Sequence, residues 1–80
     1  MRIKRSVAVS ENGFVFDSST GDSFNLNGIG REIVEMMKNG LEQSDITKKI
    51  IERYEVEPVI FEQNLMDFQS MLRQFNLLEE

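Results

Sequence analysis

The chain lacks both cysteine and histidine, and its 80 residues carry nine basic side chains against fourteen acidic ones. Without cysteine there is no disulfide framework and no thiolate metal site. Without histidine the commonest general base is gone, and any metal site would have to be built from oxygen ligands alone. The net charge of −5 argues against binding a phosphate backbone, which takes clustered Lys and Arg. The basic cluster Arg2, Lys4 and Arg5 reads as a solvated chain end. Long apolar runs are missing too. Val7-Ala8-Val9 is too short for a signal-peptide core, and no stretch approaches membrane-spanning length, so the expectation is a cytoplasmic protein with no membrane partner.

What remains is an ordinary globular composition, 40% hydrophobic and 29% charged, in a chain long enough for one small domain over residues 1–80. A dinucleotide-binding sheet or a barrel beside a second domain would not fit. Residues 3–26 read as strands. Val7 and Val9 alternate with polar neighbours, and Ser10-Glu11-Asn12-Gly13 supplies a turn. Phe14 and Phe16 form a second alternating run with Val15 on the opposite face. Ser18-Ser19-Thr20-Gly21 is the next turn. The third strand, Asp22 to Leu26, sets Phe24 and Leu26 on one face and Ser23 and Asn25 on the other. This pattern predicts a three-stranded antiparallel meander, apolar on one face and polar on the other.

Three helices cover it. Asn27 is a suitable N-cap for a helix from about Gly28 to Lys38, with Ile29, Ile33, Val34 and Met37 as its buried stripe. Gly40 stands where a left-handed residue ends a helix, and Leu41 can fold back onto Met36. Ser44 is the expected cap of a second helix through about Tyr54, with Ile46, Ile50, Ile51 and Tyr54 inward. Pro58 fits the first turn of a third helix running to about Phe75. Phe61, Leu65, Phe68, Leu72 and Phe75 make one stripe on it, expected to anchor the helix to the sheet. Ile60, Asn64 and Met71 flank that stripe on one side, and Glu62, Gln69 and Arg73 on the other. Asn76 is a plausible left-handed stop, after which Leu77-Leu78 can pack back.

Chemistry-bearing motifs are sparse. Gly28-Ile29-Gly30 follows a strand and opens a helix, but Ile33 stands where a dinucleotide fingerprint needs its third glycine. The carboxylates Glu32, Glu35, Asp45, Glu52, Glu62 and Asp67 are scattered along helices, with no acid–base pair among them. The hydroxyls of Ser18, Ser19 and Thr20 are turn chemistry. Neither an enzyme nor a cofactor is expected. Met37 reads as core filler and Met66 as exposed. A small sheet with helix-turn-helix spacing also fits a winged helix. However, the third helix holds Glu62 and Asp67 against Arg73, and Glu52, Glu55 and Glu57 lie nearby. Duplex DNA is therefore not the expected ligand.

Taken in order, Leu26-Asn27, Ile33, Asn39-Gly40, Ile46, Ile50 and Tyr54 resemble the first two helices of the PqqD-like family, the RiPP recognition elements. Asn64-Leu65, Phe68, Leu72 and Asn76-Leu77-Leu78 continue the likeness, which spans about residues 6–79. Asn64 stands where the family often has Asp, and Asn76 where it often has Gly. The resemblance implies an α+β, winged helix-turn-helix-like fold. It implies a non-catalytic peptide chaperone that binds the leader of a ribosomally made precursor peptide. That leader would add as a strand on the third strand and rest against the third helix. The chaperone would then present it to a modifying enzyme, often a radical S-adenosylmethionine enzyme. The expected peptide-binding residues are Asp22, Ser23, Phe24, Asn25 and Leu26 on the strand, with Ile60, Asn64 and Met71 on the helix. The flank of Glu62, Gln69 and Arg73 is the competing choice. The competing function is a winged-helix transcription regulator or a general protein-interaction module.

Overall fold

Two tight turns set the register of the sheet. At the first, the Gly13 N–H donates to the Ser10 carbonyl at 3.0 Å and the Ser10 N–H to the Phe14 carbonyl at 2.9 Å. Gly13 has φ of +84°, and a Cβ there would lie 2.3 Å from the Leu26 carbonyl oxygen. Only glycine allows this turn and the strand end to come so close. At the second turn the Asp17 carboxylate accepts the Ser19 N–H at 2.9 Å and the Ser19 hydroxyl at 2.7 Å. In the computed structural model, which describes residues 2–79, the elements run β1 (Arg2–Ile3), β2 (Val7–Val9), β3 (Phe14–Asp17), β4 (Ser23–Asn25), α1 (Gly28–Lys38), α2 (Gln43–Tyr54), α3 (Pro58–Gln74) and β5 (Leu78–Glu79). The expected α+β architecture is present: β2, β3 and β4 form a three-stranded antiparallel meander, and three helices follow it.

The faces of that sheet differ from the sequence reading. Val9, Val15 and Phe24 stand opposite one another across the three strands, and Val15 is buried while Val9 and Phe24 pack against the core. Phe14 and Phe16 therefore point outward, 44% and 39% exposed. The outer face is not a polar one. The inward position next to Val15 goes to Asp17, which is buried yet satisfied by Ser19. Turn chemistry decided the register here over the larger hydrophobic surface of the two aromatic rings.

The N-terminal segment is not a solvated end either. Arg2 pairs with Glu79 and Ile3 with Leu78 in a separate two-stranded antiparallel sheet, and the Lys4 N–H donates to the Leu77 carbonyl at 3.0 Å. Ile3, Leu77 and Leu78 are all core residues. The charges of Arg2 and Glu79 face water while Ile3 supplies the hydrophobic burial that holds the strand in place.

The helix ends follow their capping residues. The Asn27 side chain accepts the Gly30 N–H at 2.7 Å. At the other end of α1 the Gly40 N–H bonds Met37 at 3.1 Å and the Leu41 N–H bonds Met36 at 3.0 Å, the double closure of a Schellman ending. Asn76, with φ of +60°, closes α3 the same way, through Asn76 to Arg73 at 3.0 Å and Leu77 to Leu72 at 2.9 Å. Ser44 is not a cap. Glu42 holds that position without a side-chain bond, because the Leu41 closure leaves the chain extended just before Gln43. Tyr54 is not inward: it is exposed, and its hydroxyl donates to Glu32 Oε2 at 2.7 Å.

The third helix buries Phe61, Leu65, Gln69 and Leu72. Phe68 is only half-buried and Phe75 is exposed, with its ring 4.8 Å from that of Phe24. The stripe expected from spacing is thus split. Its Phe61–Leu72 side enters the core, and its Phe68–Phe75 side turns toward β4. No helix among the described residues is long and apolar enough to cross a membrane.

Candidate functional site

The strand β4 is an edge, since the sheet order is β2-β3-β4. In an antiparallel pair, residues alternate between bonding the neighbour and pointing away. Two bonds fix that phase: Asp17 N–H to the Asp22 carbonyl at 2.9 Å, and Leu26 N–H to the Gly13 carbonyl at 2.7 Å. With Val15 opposite Phe24, residues 22, 24 and 26 bond inward to β3. Ser23 and Asn25 send their N–H and C=O groups to the open side, where they have no partner among the described residues.

Next to that edge lies a groove of about 480 Å³. Asn25, Leu26 and Asn27 form one wall; Ile60, Asn64, Phe68 and Met71 of α3 form the other; Ile29, Gly30 and Ile33 of α1 line the floor. Gly30 brings the helix start close to α3, because a Cβ there would sit 3.4 Å from Phe68 Cε1 and 3.5 Å from Leu26 Cβ. A second cavity of about 240 Å³ continues past Met71 toward Phe24, Leu72 and Phe75. Among the described residues no charged side chain lines either cavity.

The expected site residues fall into three groups. Asn25, Leu26, Ile60, Asn64 and Met71 come together around the groove, and Ile60 stands 57% exposed at its mouth. Ser23 offers backbone at the same edge. Asp22 and Phe24 take part differently: Asp22 bonds Asp17 and the Thr20 hydroxyl, while Phe24 bonds inward and lends its ring to the second cavity. On the competing flank, Gln69 is buried and lines a separate cavity with Arg2 and Met37. Glu62 and Arg73 line neither groove cavity. Asn27, Ile29, Gly30, Val56 and Phe68 also line the groove and were not expected there. The signal for Phe68 was its position one turn from both Asn64 and Met71. The signal for Gly30 was a small residue at a helix start.

One charged cluster lies outside the groove lining. Glu32 of α1 accepts from the Tyr54 hydroxyl and from Arg53, tying α1 to α2. The Tyr54 bond, followed by Arg53, holds the Glu32 carboxyl below the ordinary glutamate range, and the same carboxylate pushes the Tyr54 hydroxyl up. Asp17 is held low chiefly by the Ser19 hydroxyl. Among the described residues no group of three or more Asp or Glu side chains is placed to hold a metal ion. What the groove can do is take an extended chain: four outward main-chain groups on one side and uncharged, mostly apolar walls for alternate side chains.

Comparison with known proteins places the fold. The family model described as Coenzyme PQQ synthesis protein D (PqqD) matches residues 12–78. Among solved structures, TbiB1 in complex with the TbiA(beta) leader peptide is similar, at 28% identity and a TM-score of 0.88, over 99% of this chain and 95% of that one. Lasso peptide synthetase B1 complexed with the leader peptide shares the fold at 21% identity and a TM-score of 0.78, over 91% of this chain and 89% of that one. No curated protein matches significantly.

Proposed function

The chain belongs to the PqqD family, and from that premise we propose that it is a peptide chaperone that binds the leader of a ribosomally synthesised precursor. The leader adds as an antiparallel or parallel strand beside β4, bonded to Ser23 and Asn25, and lays alternate side chains into the groove between β4 and α3. Ile60, Asn64, Phe68 and Met71 read those side chains. The role is non-catalytic: the bound precursor is handed to a peptide-modifying enzyme, of the radical S-adenosylmethionine type or another, in the cytoplasm.

The observation that carries this reading is one unpaired strand edge lying directly beside an uncharged groove. Main-chain bonds supply affinity without regard to sequence, and the groove supplies selection. The leader peptide bound to the similar TbiB1 supports the same ligand class. An amide chemical-shift titration with the leader of the precursor encoded nearest the gene tests it. Shifts are expected at residues 22–26 and at Ile60, Asn64, Phe68 and Met71. Shifts confined to Arg2–Arg5 or to α2 would overturn it.

A further inference from the structure

The meander has two edges, and the structure treats them differently. On β2 the phase is set by Ser10 N–H to Phe14 and by Ser18 N–H to the Ser6 carbonyl at 3.0 Å. Residues 6, 8 and 10 therefore bond inward, and Val7 and Val9 face the open side. Val7 is not free to pair. Its N–H donates to the Lys4 carbonyl at 3.1 Å, and its carbonyl accepts the Lys38 ammonium at the last turn of α1. The opposite edge carries no such closure at Ser23 or Asn25 among the described residues. Lys38 is itself exposed, so burial does not explain where its ammonium goes.

We propose that Lys38 is an edge-closing residue that makes the sheet one-sided, keeping the β4 strand of a second copy of this chain from adding to β2. The inference rests on β4 being a strand-accepting edge. An edge left open for a peptide is also open to another sheet. The complement nearest to hand is the other edge of the same meander, on a neighbouring molecule. Because β2 and β4 are different surfaces, that pairing is head-to-tail and does not close into a dimer. A lysine laid across an edge blocks it twice. It occupies the acceptor an incoming N–H would use, and it brings a charge that an incoming strand would have to desolvate.

The test of Lys38 itself needs no peptide, and the leader titration serves only to separate its failure from that of the shared premise. Wild-type, Lys38→Met and Lys38→Arg proteins are compared by sedimentation velocity over a wide concentration range, with amide exchange read at Val9 and Asn25. The expected result is a wild-type monomer and a Lys38→Met mass that climbs past the dimer with concentration, with new protection at both amides. Lys38→Arg, which keeps a donor and a charge, should stay monomeric. Adding Asn25→Pro to Lys38→Met should return the monomer. If the Met variant folds poorly, Lys38→Ala, the stronger helix former, gives the same comparison. A Lys38→Met protein that stays monomeric with unchanged exchange overturns the role of Lys38. If the wild-type leader titration nonetheless perturbs residues 22–26, only the edge-closing role has failed. If that titration also leaves them untouched, the shared premise of an accepting edge has failed with it.

Discussion

Proline scanning of β4 separates the sheet bonds its backbone makes from the leader bonds proposed for it. At Asn25 the N–H faces the open side, so proline there removes a donor to the leader without removing a bond of the fold. The net worth of that bond is about 0.5–1.5 kcal/mol, and a leader carbonyl left buried without a donor costs about 1–3 kcal/mol. Affinity should therefore fall about 5- to 150-fold, with the denaturation midpoint little changed. Proline at Ser23 should behave alike. At Phe24 the same substitution removes an inward N–H that faces Val15, so the fold should lose about 1–3 kcal/mol before binding is considered. Alanine at Ser23 or Asn25 leaves the main chain intact and should cost much less than proline. Isothermal titration with the leader, paired with urea unfolding of each variant, reads both quantities. Equal losses of affinity at 23, 24 and 25 with no difference in stability would refute the alternation on which this reasoning rests.

Other outcomes follow from the same geometry. Leu72→Ala, at a fully buried position, should cost about 2–5 kcal/mol in urea unfolding. Phe68→Ala should cost less stability than that but weaken leader binding, since Phe68 walls the groove. Gly13→Ala should destabilise by at least about 1 kcal/mol, from the positive φ and the clash with the Leu26 carbonyl. The Glu32 carboxyl is depressed in the folded state, so its stabilisation is fully present above the ordinary carboxylate range. That stabilisation is lost as the pH falls through its lowered value, and Glu32→Gln should flatten the acid limb of the stability–pH curve. Gel-shift titration with duplex DNA should show at most weak, sequence-independent binding, because Glu62 and Asp67 on α3 oppose it.

Much of this architecture could be read from spacing. Asn27, Asn39-Gly40, Pro58 and Asn76 are local signals, the first acting through its capping side chain and the others through backbone geometry, and each begins or ends a helix where expected. The edge position of residues 22–26 followed from their being last in the meander. The misreadings came where distant contacts decide. Strands β1 and β5 are two residues each, too short for any period to register. Phe14 and Phe16 offered more hydrophobic surface than Val15, yet the Gly13 turn and the buried Asp17 fixed the opposite register. On α3 a single apolar stripe serves two clients, the core and the groove. Periodicity could not show that Gln69 would be buried while Phe68 faced the groove. Which β4 amides point outward depends on pairing phase, which only the turn bonds define.

The Glu32–Tyr54 contact has an optical consequence. Tyr54 is the single tyrosine, and the chain has no tryptophan, so this ring is the protein's dominant ultraviolet emitter. Its hydroxyl is bonded to a carboxylate, an arrangement that quenches phenol emission by drawing off the proton of the excited state. Brightening on unfolding then reports the separation of α1 from α2. Tyr54 does not line the groove, so the signal stays dark to an occupant there. A leader carrying a tryptophan would glow against that background, and its colour would shift with the dryness of the cleft it enters.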